Sequence, residues 1–298
     1  MRVCQDCHKV VSAIDAVLIG GKYYHRACRT CTECGQLVEE KPEMYNGKPY
    51  HMYCLHSPKI CCVCGKKTTN YVEDFWGYKA CYEHARKCLY CGRILSPLTQ
   101  GGHMVNHSYF LNGERKVDEV PMCSLCEQSI VKTKQDIESC RKQVMAIFNS
   151  YGIEGIPDDI PILLSDMVAE GKIYKGRLWG LNYGDVSPSR EKYSCHIVIH
   201  AGLPKLLFKG VLAHELLHSW LDMYAINLPQ NEKEGFCNLG QSLVFRKEKS
   251  KVAEHLITWT LERNPDPVYG DGYRLMKKRL DKLGWKGLMN AILWDNRR

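Results

Sequence analysis

The chain has 298 residues, a formal net charge of +8, 45% hydrophobic residues and 25% charged residues. This is enough sequence for two domains, or for one domain with small modules attached. No apolar run of about 18 residues is present, so a membrane-spanning helix is excluded. The opening stretch "MRVCQDCHKV" has no apolar h-region, so a secretory signal is not expected. Neither end carries a lipidation motif, and a cytoplasmic location is expected.

Seventeen cysteines are the strongest compositional signal. Thirteen fall before residue 127 in paired or stepped spacings, and Cys62, Cys140, Cys195 and Cys237 remain over. Disulfides and zinc sites are the two competing uses of such cysteines, and the interleaved histidines together with the missing signal favour zinc. Zinc would also change the charge. Thirteen thiolates subtract thirteen and four zinc ions return eight, leaving about +3, or about +5 with a fifth zinc. The basicity is then a weak argument for nucleic acid, and no basic helix stands at finger spacing.

Taken in chain order, Cys4, Cys7, His25 and Cys28 follow C-x2-C-x17-H-x2-C, and Cys31, Cys34, His51 and Cys54 follow C-x2-C-x16-H-x2-C. Each quartet can close a tetrahedral zinc site, and only two residues separate them. Residues 1–57 resemble a LIM domain, with all eight ligand positions and both long spacers in place. Cys61, Cys64, Cys81 and His84 give C-x2-C-x16-C-x2-H, and Cys88, Cys91, Cys123 and Cys126 give two further C-x2-C pairs. Residues 58–130 therefore look like a second, LIM-like module. It departs from the family pattern in having three residues between its half-sites and a last spacer of 31. The excess, around "QGGHMVNHSY", reads as a loop insertion in which His103 and His107 are solvent-exposed histidines rather than ligands. Four protein ligands leave no place for water, so these sites are structural. The modules serve either partner contact or bracing of the rest of the chain.

From residue 127 the pattern changes. Ile130, Ile137, Val144, Ile147 and Phe148 recur at helical spacing up to Gly152. "SCHIVIH", 194–200, alternates as a half-buried strand, and "GLP" ends it. A helix then runs from Leu206 to about Met223 and contains "HELLH". His214 and His218 share one face of it, with Glu215 beside the first. A catalytic zinc needs a third protein ligand. Glu234 supplies it sixteen residues after His218, at the start of a helix whose Phe236, Leu239, Leu243 and Val244 face the core. Glu232 is the rival. Asn238, four residues beyond Glu234, can accept a hydrogen bond from the distal nitrogen of a zinc-bound histidine. Cys237 reads as packing, and 245–255 as a solvated helix face. "MKKRLDKLGWKGLMNAIL" reads as an amphipathic helix pair closed by Gly284.

The order "GLPKLL", "LAHELLHSWL", "EGFCN", "PVYGDGYR" behind a LIM and a LIM-like module resembles the plant organ-growth-limiting LIM peptidases, the DA-one-like family. "KEGF" is similar to the "NEGF" of glutamate-zincin aminopeptidases, whose glutamate is the third zinc ligand. The resemblance implies a cytosolic zinc endopeptidase acting on regulatory proteins and activated by ubiquitination. Ubiquitin coupling is not expected from the residues present, because no ubiquitin-interacting segment precedes Cys4.

The expected architecture is α+β. Two LIM-type zinc-ribbon modules, 1–57 and 58–130, precede a zincin-like metallopeptidase domain, 131–298, with a small sheet and active-site helices. The expected cofactors are one catalytic and four structural zinc ions. Zinc held by His214, His218 and Glu234 lowers the pKa of its water, Glu215 takes the proton as general base, and a further donor steadies the oxyanion. Tyr269, Tyr273 and His255 are candidates for that donor, with Tyr269 first. "HIVIH" is expected to pair with extended substrate as an edge strand. The rival reading is a non-catalytic LIM-type adaptor, against which Glu215 argues.

Overall fold

A computed structural model of the chain describes residues 2–45, 47–56, 59–97, 101–111, 114–165, 180–186 and 193–295. The chain forms two compact units, one of Met1–Val72 with Lys79–His84, the other of Glu73–Tyr78 with Ala85–Arg298. The boundary runs through residues 58–130, so the third quartet lies wholly in the first unit and the fourth wholly in the second. No described helix is long and apolar enough to cross a membrane.

The first unit is made of short antiparallel hairpins, β1 (Ala16–Ile19) with β2 (Lys22–His25) and β3 (Glu43–Tyr45) with β4 (Lys48–Tyr50). Two short helices, α1 (Arg26–Arg29) and α2 (Met52–His56), follow β2 and β4. Beyond them come β5 (Lys59–Ile60) with β6 (Lys67–Thr68), then β7 (Tyr71–Glu73) with β8 (Lys79–Cys81). The cores are very small: Val11, Val17 and Tyr24 around Cys4, and Val38 and Tyr50 around Cys31. Such cores cannot hold a fold without metal. Arg29 ties the two halves of the first module. Its guanidinium bonds Asp6 at 2.7 and 3.0 Å, donates to the carbonyls of Val38 and Glu40, and lies 3.9 Å from the Tyr24 ring centroid.

The second unit holds one large core containing Phe148, Phe208, Trp220, Phe236, Phe245 and Tyr273, all fully buried. A ribbon of β9 (Gly102–Leu111) and β10 (Glu114–Cys123) leads into α3 (Ser124–Glu127) and α4 (Lys134–Ser150). Thr133 caps α4 through a reciprocal capping box with Asp136. Ile137, Cys140, Val144 and Phe148 line its buried face. The sheet has the order β11 (Ile162–Ser165), β13 (Tyr193–His200), β12 (Gly180–Val186), with β11 parallel and β12 antiparallel to β13. Then come α5 (Lys205–Met223), α6 (Gln230–Glu248), α7 (Lys251–Leu256), a π-helical turn Ile257–Glu262, and α8 (Gly270–Asp295) broken at Gly284, φ +67°. α5 is apolar nearly all round because α4, α6 and the sheet cover it.

Three expectations are corrected. The excess of the last LIM-like spacer is the β9–β10 ribbon, registered from Gly102↔Cys123 to Leu111↔Glu114, and not a loop. Such a ribbon returns Cys123 to Cys91 without closing a long floppy loop. In it His103 is exposed, 3.5 Å from Glu127, while the His107 side chain lies outside the described residues. "HIVIH" is not an edge strand, since β13 is paired on both sides and cannot add a substrate strand. His200 is also buried, although its place in the alternation set it with exposed His196. The segment 245–255 is not one solvated face: Phe245 and Ala253 are buried, Lys249 is left-handed, and Ser250 starts a new helix by accepting from the Ala253 amide.

Candidate metal centre

The structure gathers each of the four quartets into a cluster whose ligand atoms lie within 4.8 Å of one another. All four start from one knuckle. The amides of Cys4, Cys31, Cys61 and Cys88 bond the carbonyls of Lys9, Gln36, Lys66 and Arg93, and each cysteine carbonyl accepts from the amide four residues on. That fourth residue is left-handed: Gly35, Gly65 and Gly92 at φ +74°, +73° and +75°, and His8 at +57°. His25 and His51 present Nδ1 to their clusters. Each has Nε2 3.1 Å from a carbonyl, that of Val10 or Leu37, which fixes the ring and its tautomer. Burial opposes it, but amide donors in the knuckles bring the Cys4, Cys31 and Cys61 thiols down to about 6, ready to bind metal as thiolates. None of the seventeen cysteines is in a disulfide. These clusters point to zinc.

The fifth cluster sits where α5 meets α6. Gly240 of α6 lies against the Ala213 carbonyl and Leu217 of α5, so the two backbones come close. This lets a short carboxylate span the gap. His214 Nε2 is 3.1 Å from Glu234 Oε2, His218 Nε2 is 3.4 Å from the same oxygen, and the two nitrogens are 3.1 Å apart. Three tetrahedral zinc ligands at the usual bond lengths stand roughly 3.3–3.4 Å apart, so the donor set fits such an ion. Burial works against both charges, yet the histidines hold the Glu234 carboxyl well below the usual range, and Glu234 with Glu215 raises His214.

Two rivals can be weighed. Cys237 Sγ lies within 4.8 Å of both histidine nitrogens. Burial, reinforced by Glu234 and Glu215, raises the pKa of its thiol. The carboxylate is preferred on geometry, since its oxygen stands 3.1 and 3.4 Å from the two histidine nitrogens, the separation a tetrahedral ion requires. Glu232 forms a two-pronged pair with Arg279 at 2.6 and 3.1 Å, which occupies both its oxygens.

The surroundings sort the remaining candidates. Asn238 Oδ1 is 2.9 Å from His214 Nδ1, and its amide donates to the Tyr269 carbonyl at 3.1 Å. The Tyr269 ring is inclined by 28° to that of His214, with centroids 6.5 Å apart. Burial first, then Glu234 and Glu215, hold its phenol protonated and able to donate. Tyr273 is fully buried and bonded to Ser242. His255 packs edge-on against Phe75 and tilted against Trp76, both centroids 5.5 Å away. Of the three proposed donors, only Tyr269 stands beside the cluster. Sequence reasoning misses the strand β12. Its Gly180 faces Glu215, since a Cβ there would come 2.9 Å from Glu215 Oε1.

Comparison with known proteins finds two matching families. A LIM-domain family model matches residues 4–57, and one described as Protein DA1 matches residues 177–244, the stretch from just before β12 to α6. The chain carries a LIM-domain segment followed by a DA1-like segment, an order consistent with LIM proteins that have a DA1-like domain. It is 26% identical over 302 residues to LIM domain-containing protein HDR3 of Oryza sativa subsp. japonica, covering 83% of this chain and 57% of that one. To Protein DA1-related 2 of Arabidopsis thaliana it is 25% identical over 283 residues, covering 80% and 52%. To Protein DA1 of Arabidopsis thaliana it is 23% identical over 378 residues, covering 99% and 68%. The chain thus spans about half to two thirds of the length of these curated relatives.

Proposed function

We propose that the chain is a zinc-dependent peptidase of the glutamate-zincin type, working on protein substrates in the cytoplasm. The observation that carries this is the three-atom cluster of His214, His218 and Glu234 at tetrahedral spacing, with Glu215 buried beside it. A zinc ion held there would polarise the scissile carbonyl and make a water nucleophilic near neutral pH. Glu215 takes the proton of the attacking water and passes it to the leaving amine. Tyr269 donates to the oxyanion. Extended substrate lies along β12, the strand next to Glu215, instead of β13. The four quartets hold one structural zinc each, for five ions per chain. The N-terminal unit exposes Ile14, Tyr53 and Tyr82, which suits contact with protein partners.

Glu215→Gln is expected to keep five zinc ions and lose at least about a thousandfold in turnover of a peptide library. Glu234→Ala is expected to drop to four zinc ions. Equal cleavage by Glu215→Gln and wild type, or four ions in every wild-type preparation, would instead support the adaptor reading.

A further inference from the structure

The loop between the π-helical turn and α8 has no role in the reading above beyond presenting the Tyr269 phenol. We infer that its backbone positions the metal-binding histidine, through Asn238, and that Asp266 is the residue that holds it in place. This rests on the proposed metal centre.

The chain of contacts admits one arrangement. A peptide carbonyl can only accept, so the Tyr269 carbonyl, 3.1 Å from the Asn238 amide nitrogen, requires the NH2 end of that amide. The oxygen end is thereby turned to His214 Nδ1, 2.9 Å away. An oxygen there also only accepts, so His214 carries its proton on Nδ1 and leaves the Nε2 lone pair to the cluster of His218 and Glu234. One carbonyl thus decides an amide rotamer, and the amide decides a tautomer. Asn238 is buried, which removes water as an alternative partner for either end.

Two features hold the carbonyl in place. Asp266 Oδ1 accepts from the amides of Val268 and Tyr269 at 2.8 and 2.9 Å, and its carbonyl accepts from Gly270 and Asp271. Buried Asn264 orders the approach by accepting from the Asp266 amide. Behind the loop, α8 touches α6 backbone to backbone. A Cβ on Gly235 would collide with the Gly272 carbonyl, and one on Gly272 with the Asn231 carbonyl. Gly235 of "EGF" and Gly272 of "GDGY" are accounted for by this contact, and Gly270 by a close approach to the Asn264 carbonyl.

The test is affinity of the exchangeable fifth zinc, measured on the full chain against a fluorescent chelator that leaves the cysteine quartets loaded. Asn238→Leu is expected to weaken it by roughly 10–100-fold, the usual cost of losing such a partner. Asp266→Ala, which leaves every residue of the cluster and Asn238 intact, is expected to weaken it by about tenfold or more. Tyr269→Phe keeps the carbonyl and is expected to bind zinc as wild type while losing turnover. Asp266→Asn retains an acceptor oxygen and is expected to restore most of the affinity. If Asn238→Leu weakens binding and a folded Asp266→Ala does not, the loop has no positioning role and the inference is overturned. If Tyr269→Phe loses zinc as Asn238→Leu does, the phenol and not the carbonyl is the contact, and the inference fails as well. A wild type with no exchangeable fifth zinc refutes the metal centre itself, and the inference with it.

Discussion

The first and last cysteine quartets share a knuckle and differ in everything around it. Cys4, Cys7, His25 and Cys28 sit on a core of a few residues, and two of the three thiols are half-buried. Cys88, Cys91, Cys123 and Cys126 are all buried and belong to the same continuous core as α4, α5, α6 and α8. The link is concrete. Three residues after Cys126, Ser129–Val131 pairs with Leu203–Lys205, the segment that opens α5. On the other side, His255 of α7 packs on Gly92 of the knuckle and on Phe75 and Trp76. The same local motif is a free-standing module at one end of the chain and a piece of the helical domain at the other.

That difference is open to measurement, and the largest effect is expected from the ligands themselves. Structural zinc supplies about 10–16 kcal/mol of apparent binding free energy in small sites, as much as the whole stability of an ordinary domain. Cys88→Ser is expected to abolish the cooperative unfolding transition of the second unit, while Cys4→Ser leaves that transition in place. Calorimetry and amide exchange on the full chain distinguish them, and equal damage from both would refute the contrast.

Next in size are the knuckle glycines. Gly35 and Gly92 have nearly the same φ, +74° and +75°, but a Cβ meets nothing at Gly35 and collides with the His255 ring at Gly92. Gly35→Ala is expected to cost about 1–2 kcal/mol, the left-handed penalty alone. Gly92→Ala adds an overpacking term of about 1–3 kcal/mol. Denaturant unfolding at saturating zinc reads the gap, and two equal values would show that the His255 contact does not matter.

A smaller effect follows from His255. Burial, with help from Lys87 and Arg93 and against Asp74, lowers its pKa to about 4. A base depressed in the folded state favours folding while it stays neutral. The unfolded chain binds its proton first as pH falls below about 6.5, so stability declines from there to about pH 4 and levels off below. His255→Phe is expected to flatten that slope by about 1–2 kcal/mol, after allowance for the partial exposure of the ring. An unchanged slope against wild type would count against it.

The smallest effect concerns the first knuckle. His8 occupies the left-handed position that glycine fills in the other three. His8→Gly is expected to stabilise the first unit by about 0.5–1 kcal/mol, read as a shift in its unfolding midpoint.

Much of the molecule is legible in the sequence because the signals are local or chemically strict. All sixteen quartet residues come together as their spacings demand, since a tetrahedral ion accepts few arrangements. The helix carrying His214 and His218 starts one residue before Leu206 and ends at Met223, where its apolar spacing stops. What escapes has other causes. The β9–β10 ribbon reads as a loop although Asn112-Gly113 stands midway between runs of equal length, the strongest short hairpin signal. β12, "GLNYGDV", carries two glycines and little apolar alternation, so no period reveals it. The central place of β13 depends on partners from 162–165 and 180–186, which no local pattern can specify.

By itself, the sequence determined which residues can be ligands, how they are grouped, and that two histidines share a helical face with a carboxylate beside them. Periodicity and metal-ligand spacing are properties of short stretches, and they survive any packing. Only the tertiary structure shows what separates Glu234, which the sequence already favoured, from Glu232 two residues away: Arg279, distant in sequence, pairs with Glu232, while Glu234 lies beside both histidines. It also decided that the last quartet belongs with the helices and that the Tyr269 carbonyl, not just its phenol, meets the site. Those choices are made by contacts between segments tens of residues apart, where burial and the geometry of donors and acceptors outweigh anything the local sequence prefers.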